Sequence, residues 1–250
     1  MSVDPETSKA QLRALIRTDR AARAAAVADS VSAKSETTIA EAESSLAEAE
    51  SSLAEAAWQV VESVSPNPDL TGCSMLAYAA LAGEPSLDPV IDRFLARGGI
   101  VYLPVVTAVG HALMFGAVAG SMSTLEPRGR WGIREPSPSL TASDLLSAEV
   151  APDLVFVPAL GFGAGGARLG NGGGFYDRTF GPQGKVPLAA REDMDGDDGD
   201  HHVDVPRNRV NRQVYGVCFA TELNLPGLTV EPWDLQIRRA VTDRGVHTFD

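Results

Sequence analysis

The stretch DLVFVPALGFGAGGARLGNGGGFYDR, residues 153–178, constrains the fold more than any other part of the chain. An apolar run ends at Pro158, and eight glycines follow between Gly161 and Gly174. A near-continuous Leu-Val-Phe-Val run suits a strand covered on both faces. Phe175-Tyr176-Asp177-Arg178 reads as the start of a helix, so the order is strand, glycine loop, helix. Glycine takes left-handed conformations and lets a ligand come close to the main chain. Successive N–H groups in such a loop, and a helix start after it, favour anions. Arg168 is placed to neutralise phosphate charge and Asp177 to hold a divalent cation. The loop is not a Walker A sequence, since Gly-Lys-Ser/Thr is missing. Nor is it a clean dinucleotide fingerprint, whose glycines lead directly from strand into helix. Phosphate binding at the end of an α/β strand is the expectation.

The flanking sequence supports that fold class. Short apolar runs at 72–78, 99–105, 113–119 and 214–220 read as further strands. Segments 87–97, 141–148 and 174–181 read as helices between them. Strands alternating with helices predict a single-domain, Rossmann-like three-layer α/β/α sandwich with a largely parallel sheet. Residues 8–28 read as a leading helix capped by Ser8, with Leu12, Leu15, Ile16 and Val27 spaced for one face. Residues 36–62 read as a second helix. It holds the tandem AEAESSL at 40–46 and 47–53, which stripes Ile39, Leu46 and Leu53. One apolar residue per heptad is a thin seam for a coiled coil. Residues 36–56 therefore read as an acidic, solvated helical extension, with self-association through it as the lesser alternative. Residues 186–213 lack periodicity and read as a flexible acidic insertion.

Charge narrows the function class. The chain of 250 residues has 33 acids and 21 bases, a formal charge of −12. No net basic surface exists for nucleic acid or for an anionic membrane. Segments 36–56 and 186–205 hold 13 of the acids and one of the bases, which leaves 20 of each elsewhere. The body is charge-balanced, and small-molecule partners, a monomer and no membrane association are expected. Cys73 and Cys218 give no disulfide framework, so buried free thiols and a cytoplasmic location are expected.

Other candidate residues lie outside the glycine loop. Lys9, Arg13, Arg17 and Arg20 share one face of the first helix. That is most simply a solvated face, yet it is also the second basic element that a triphosphate requires. Glu84 lies in a loop after the first strand, and Asp234 precedes a short amphipathic segment. Trp131 sits in a loop rich in Pro and Arg, where it caps an apolar edge or stacks on a flat heterocycle. Asp193, Asp195, Asp197, Gly199 and Asp204 approximate a calcium loop, but the glycine is one place late and the last acid is not Glu. They read as solvated charge, as do His201 and His202, and the lone His111 reads as structural.

Taken in order, these pieces resemble the 5-formyltetrahydrofolate cyclo-ligase family, also called 5,10-methenyltetrahydrofolate synthetase. The resemblance rests on Lys9-x-x-Leu12-Arg13, Gly83-Glu84 to Pro89, Trp131-x-Ile133-x-Glu135-Pro136, RLGNGGGFYDR at 168–178, Leu225-Pro226, Asp234 and Val241-Thr242-Asp243. It implies an ATP- and Mg²⁺-dependent ring closure that turns 5-formyltetrahydrofolate into 5,10-methenyltetrahydrofolate. It implies that ATP is held by Lys9, Arg13 and the run Arg168, Leu169, Gly170, Asn171, Gly172, Gly173, Gly174, Phe175 and Tyr176. Folate would be bound by Ala79, Glu84, Trp131 and Tyr176, and Mg²⁺ by Asp177 and Asp234. Arg168, Gly172, Gly173 and Tyr176 would surround the reacting group. Asn171, Gly173 and Phe175 depart from the family's commoner residues. Those departures leave open a second reading, a non-catalytic folate- or nucleotide-binding regulatory relative.

Overall fold

The computed structural model describes residues 5–30, 36–188 and 212–250. The acidic stretch with Asp193 to Asp204, His201 and His202 lies outside the described residues. Among the described residues the helices are α1 (Pro5–Ser30), α2 (Glu36–Val64), α3 (Asp88–Ala96), α4 (Ala142–Leu145) and α5 (Phe175–Phe180). The strands of the main sheet are β1 (Ser74–Leu76), β2 (Ile100–Val105), β3 (Met114–Ala117), β6 (Leu154–Pro158), β9 (Gln213–Val217), β10 (Arg239–Thr242) and β11 (Gly245–Thr248). Two-stranded hairpins pair β4 (Pro127–Arg128) with β5 (Ile133–Arg134) and β7 (Gly161–Phe162) with β8 (Arg168–Leu169). The main sheet runs β11-β10-β9-β6-β1-β2-β3. Its five central strands are parallel, and β3 and β11 close the two edges antiparallel.

The apolar strands bury both faces. Met75, Val101, Leu103, Phe156 and Val217 face one core, under α2 and α3. Leu76, Val155, Val157, Phe115 and Ala240 face the other, which α4 and α5 help to cover. The largely parallel α/β sandwich expected from the sequence is what forms. Segment 141–148 keeps only one helical turn: a capping box of Thr141 and Asp144 starts it, and the Leu146 N–H on the Ala142 carbonyl ends it. The amphipathic segment after Asp234 contains β10, whose alternation is hidden because Ala240, Val241 and Thr242 are all buried. Cys73 is half-buried rather than buried, and Cys218 is buried; both are free. No helix among the described residues is long and apolar enough to cross a membrane.

The second helix differs from an appended, solvated one. Leu53, Ala56, Ala57, Trp58, Val60 and Val61 are core residues, and Leu46 packs against them. The heptad stripe from Leu46 onward therefore faces the molecule's own core, and Glu48, Glu50 and Glu55 take the outer side. Trp58 illustrates the fit: its ring lies under the guanidinium groups of Arg93 and Arg97, and its indole N–H donates to Glu62 at 2.6 Å.

The first helix crosses the carboxyl ends of the parallel strands. Ile16 joins Leu160 and Leu169 in a small core of its own, while Leu15, expected on the same face, is exposed. Arg20 is buried and grips Glu222 with two hydrogen bonds, at 2.8 and 2.7 Å, and donates to the carbonyl of Ala159 at 3.0 Å. Arg23 adds a bond to Glu222 at 2.8 Å, and the Phe219 N–H a further one at 3.0 Å.

Two stability outcomes follow from this packing. Leu53→Ala should cost about 2–5 kcal/mol in a urea melt, the range for a large-to-small change in a closed core. Glu222→Ala should cost about 3–5 kcal/mol by leaving the Arg20 charge buried and uncompensated. Hydrogen exchange should then quicken first in the amides of 8–23, and an α1 that stays fully protected would contradict this docking scheme.

Candidate active site

The order of the strands fixes where a ligand can enter. The chain proceeds from β1 to β2 on one side, then returns to β6 on the other. The carboxyl ends of β1 and β6 therefore flank a topological switch point, where open α/β sheets bind their ligands. A cleft of about 660 Å³ opens there. Tyr78 and Ala79 after β1, Pro104 and Val106 around the end of β2, and Pro158 and Leu160 around the end of β6 form its base. A smaller cleft of about 340 Å³ adjoins it, and Arg168, Gly170, Gly174 and Asp177 border both.

The eight glycines divide between two tasks. A Cβ at Gly161 would overlap the Glu222 carbonyl, and one at Gly166 would overlap the Ile237 carbonyl. These glycines permit close packing of the β7–β8 hairpin and do not touch a ligand space. Leu169, expected among the ATP-contacting residues, is likewise buried against Ile16 and Leu160 and lines neither cleft. From Gly170 onward the loop is exposed to the clefts, with Gly172 on the smaller and Gly173 on the larger. Gly174 enters α5 in the left-handed conformation, φ 63°, which a residue with a side chain takes only under strain. With six residues, α5 is too short for its dipole to be a strong attraction for anions. The positive charge at the site comes from side chains.

Those side chains arrive from both walls. Arg13 donates to the Gly170 carbonyl at 3.1 Å and Arg17 to the Asn171 carbonyl at 2.7 Å. The basic stripe of α1 therefore lies on the glycine loop and is not simply a solvated face. From the opposite side, Asn171 donates its amide N–H to Glu84 Oε1 at 2.6 Å, and Leu81 N–H donates to Glu84 Oε2 at 2.9 Å. Asn171 thus links the loop to the segment after β1. Arg178 folds back onto the Gly173 carbonyl and lies 5.5 Å from the Phe175 ring centre. Trp131 packs edge-on against Phe175 at 5.6 Å.

Two carboxylate–cation pairs form the floor of the smaller cleft. Lys9, itself buried, contacts Asp234 at 2.6 Å, and Arg168 contacts Asp177 at 3.0 Å. Asp234 Oδ2 also accepts from Glu231 N–H and Asp177 Oδ1 from Leu235 N–H. Burial would raise the Asp177 carboxyl, but the charge of Arg168 and these hydrogen bonds outweigh it and hold it below the ordinary value. All these bonds fall on one oxygen of each carboxylate, leaving the other without a hydrogen-bond partner among the described residues. Among the described residues no three Asp, Glu, His or Cys side chains converge on a metal position. Two carboxylate oxygens beside a phosphate-sized cleft do fit Mg²⁺, which keeps water and substrate phosphates as its remaining ligands.

The larger cleft is more apolar. Tyr176 places its ring 5.4 Å from the Arg168 guanidinium, and its hydroxyl is buried with no partner. Burial raises its ionisation far above neutral pH, so it is a neutral donor. Arg168 Nε is also buried and unpartnered, although the other two guanidinium nitrogens reach the Pro158 carbonyl and Asp177. Ala79, Glu84 and Trp131, the residues that the resemblance gives to folate, line this cleft. His111 lies in an exposed turn and lines neither cleft. Reading the sequence missed Tyr78 and Glu135 in the larger cleft and Gln183, Arg178 and Trp233 in the smaller. Glu135 and Arg178 belong to motifs already noted, and Trp233 adjoins Asp234, so local spacing marked the neighbourhood but not the roles.

Comparison with known proteins agrees with this geometry. The model of the 5-formyltetrahydrofolate cyclo-ligase family matches residues 5–190. The chain is 33% identical over 116 residues to a 5-formyltetrahydrofolate cyclo-ligase of Mycolicibacterium smegmatis, covering 44% of this chain and 56% of that protein. It is 30% identical over 155 residues to a probable 5-formyltetrahydrofolate cyclo-ligase of Caenorhabditis elegans, covering 58% of this chain and 74% of that protein. The matched stretch thus spans little more than half of the M. smegmatis relative. A 5,10-methenyltetrahydrofolate synthetase of Aquifex aeolicus superimposes with a TM-score of 0.54 at 20% identity, covering 96% of this chain and 92% of that one. One of Mycoplasma pneumoniae gives 0.51 at 15% identity, covering 94% and 98%. At that identity the superpositions speak to the fold. With the match across residues 5–190, and with the glycine loop at the sheet's switch point, the chain belongs to the 5-formyltetrahydrofolate cyclo-ligase family.

Proposed function

We propose that the protein converts 5-formyltetrahydrofolate and ATP into 5,10-methenyltetrahydrofolate, ADP and phosphate. One observation carries this reading: an apolar cleft that suits a flat ring and a cationic cleft that suits phosphates share Arg168, Gly170, Gly174 and Asp177. A phosphoryl group in one can therefore meet an oxygen held in the other.

The chemistry needs that junction. The formyl oxygen is a poor leaving group and must first be phosphorylated. It attacks the γ-phosphorus and ADP departs. N10 then attacks the activated carbon, loses its proton, and the C–O bond breaks as phosphate leaves. Phosphoryl transfer depends mainly on alignment and charge stabilisation, not on a protein nucleophile. Lys9, Arg13 and Arg168 border the phosphate cleft and would supply that stabilisation. The backbone of Gly172 and Gly173 stands at the boundary where the formyl group would lie. Tyr176 would offer its unpartnered hydroxyl to the reacting oxygens while its ring and that of Trp131 line the pterin. Glu84 borders the folate and, through Asn171, holds the loop in place. Asp177 and Asp234 would hold Mg²⁺, whose charge would offset that of the phosphates.

The test is direct. Protein mixed with 5-formyltetrahydrofolate and Mg-ATP should develop the methenyl absorbance, and omission of ATP should abolish it. Asp177→Ala should lower kcat by about 100-fold or more, the scale for losing a preorganised charge-stabilising group. Tyr176→Phe should lower it by about 10-fold, one hydrogen bond's worth. Tight binding of both ligands by the wild type without product would instead establish the non-catalytic alternative.

A further inference from the structure

We propose that Glu135 anchors the pterin of the bound folate by accepting hydrogen bonds from its adjacent N3–H and 2-amino groups. The inference rests on reading the larger cleft as the folate site.

Three observations support it. First, Glu135 is buried, at 6% exposure, yet it lines the larger cleft. Second, its hydrogen bonding is incomplete. Oε1 accepts from the Val106 N–H at 2.9 Å, while Oε2 has no partner among the described residues. Glu84, the other buried carboxylate of this cleft, has both oxygens engaged. A buried carboxylate with an open oxygen is costly in an apolar wall unless a ligand completes it. Val106, to which it is bonded, and Ile133, two residues before it, offer the cleft no side-chain donor, and Arg128 acts on Glu135 through its charge without a hydrogen bond. Third, the position is right. Glu135 bonds to the segment just past β2, whereas the glycine loop follows β6, with β1 between them. Two strand spacings amount to about 10 Å, the scale of a bicyclic ring with its substituents.

The chemistry selects the ligand edge. Two N–H donors on neighbouring atoms match the two oxygens of a carboxylate, as a guanidinium does. The pterin presents such an edge at N3 and the 2-amino group. Seating it on Glu135 directs the N5 side of the ring toward the glycine loop. Glu135 would therefore decide orientation as well as affinity, and would reject flat heterocycles that offer an acceptor at this edge.

The test measures equilibrium binding on the full chain, with 5-formyltetrahydrofolate, its 2-desamino analogue and Mg-ATP as separate ligands. Glu135→Gln keeps an acceptor for the Val106 N–H but turns one acceptor toward the pterin into a donor. It should weaken 5-formyltetrahydrofolate by about 10- to 100-fold, with Mg-ATP affinity and melting temperature unchanged. The wild type should lose a similar factor with the 2-desamino analogue, and the variant little more when both changes are combined. Equal folate affinity in the variant, or an undiminished penalty for the analogue there, would overturn the assignment and leave Glu135 as a partner of Val106 alone. A wild type that binds the analogue as tightly as the folate overturns it without any variant. A wild type that binds Mg-ATP but no reduced folate is a different result, since it removes the folate reading of the cleft itself.

Discussion

The ion pair between Arg20 and Glu222 is the contact on which the site depends. It ties the first helix to the carboxyl ends of β6 and β9, beneath two further donors, Arg23 and the Phe219 N–H. Burial works against the Arg20 charge, and the bonds and charge of Glu222 overcome it. Once α1 is fixed at that point, the helical repeat brings Arg17, Arg13 and Lys9 in turn over Asn171, Gly170 and Asp234. Without it the glycine loop would lose the wall that holds its carbonyl groups.

The charges in the site are organised in opposed pairs. Lys9 neutralises Asp234 and Arg168 neutralises Asp177, while Arg13 and Arg178, bonded to loop carbonyls, leave the smaller cleft with more bases than acids. Under the proposed function, nucleotide and Mg²⁺ would exchange these partners, with phosphates taking the cations and the metal taking the carboxylates. Such an exchange avoids the large desolvation penalty of an isolated buried charge in the empty site. The whole-chain charge of −12 has no bearing on this, because its excess of acids lies in segments 36–56 and 186–205.

The glycine loop shows how one compositional signal can contain two physical causes. Gly161 and Gly166 are small because backbone carbonyls pass where a Cβ would be, and Gly166 has a positive φ as well. Gly172 and Gly174 have positive φ and face the clefts. Both groups look alike in sequence, because the absence of a side chain does not say what occupies the space.

The sequence by itself determined the local elements and the class of fold. Continuous apolar runs at β2 and β6, the helical periodicity of α1 and α2, and the strand–glycine–helix order are short-range properties. They depend on backbone sterics and burial, which neighbouring residues largely dictate. It also located the residues around the site, since Lys9, Glu84, Trp131, Arg168, Asp177 and Asp234 all line the two clefts. Only the tertiary structure decided how they pair: which acid neutralises which base, that Asn171 bridges to Glu84, that Leu169 turns inward, and that Leu46 and Leu53 face the core. It also revealed Glu135 as a buried acid with an open oxygen. Pairings between residues far apart in sequence arise from strand order and helix docking, and no local pattern carries that information.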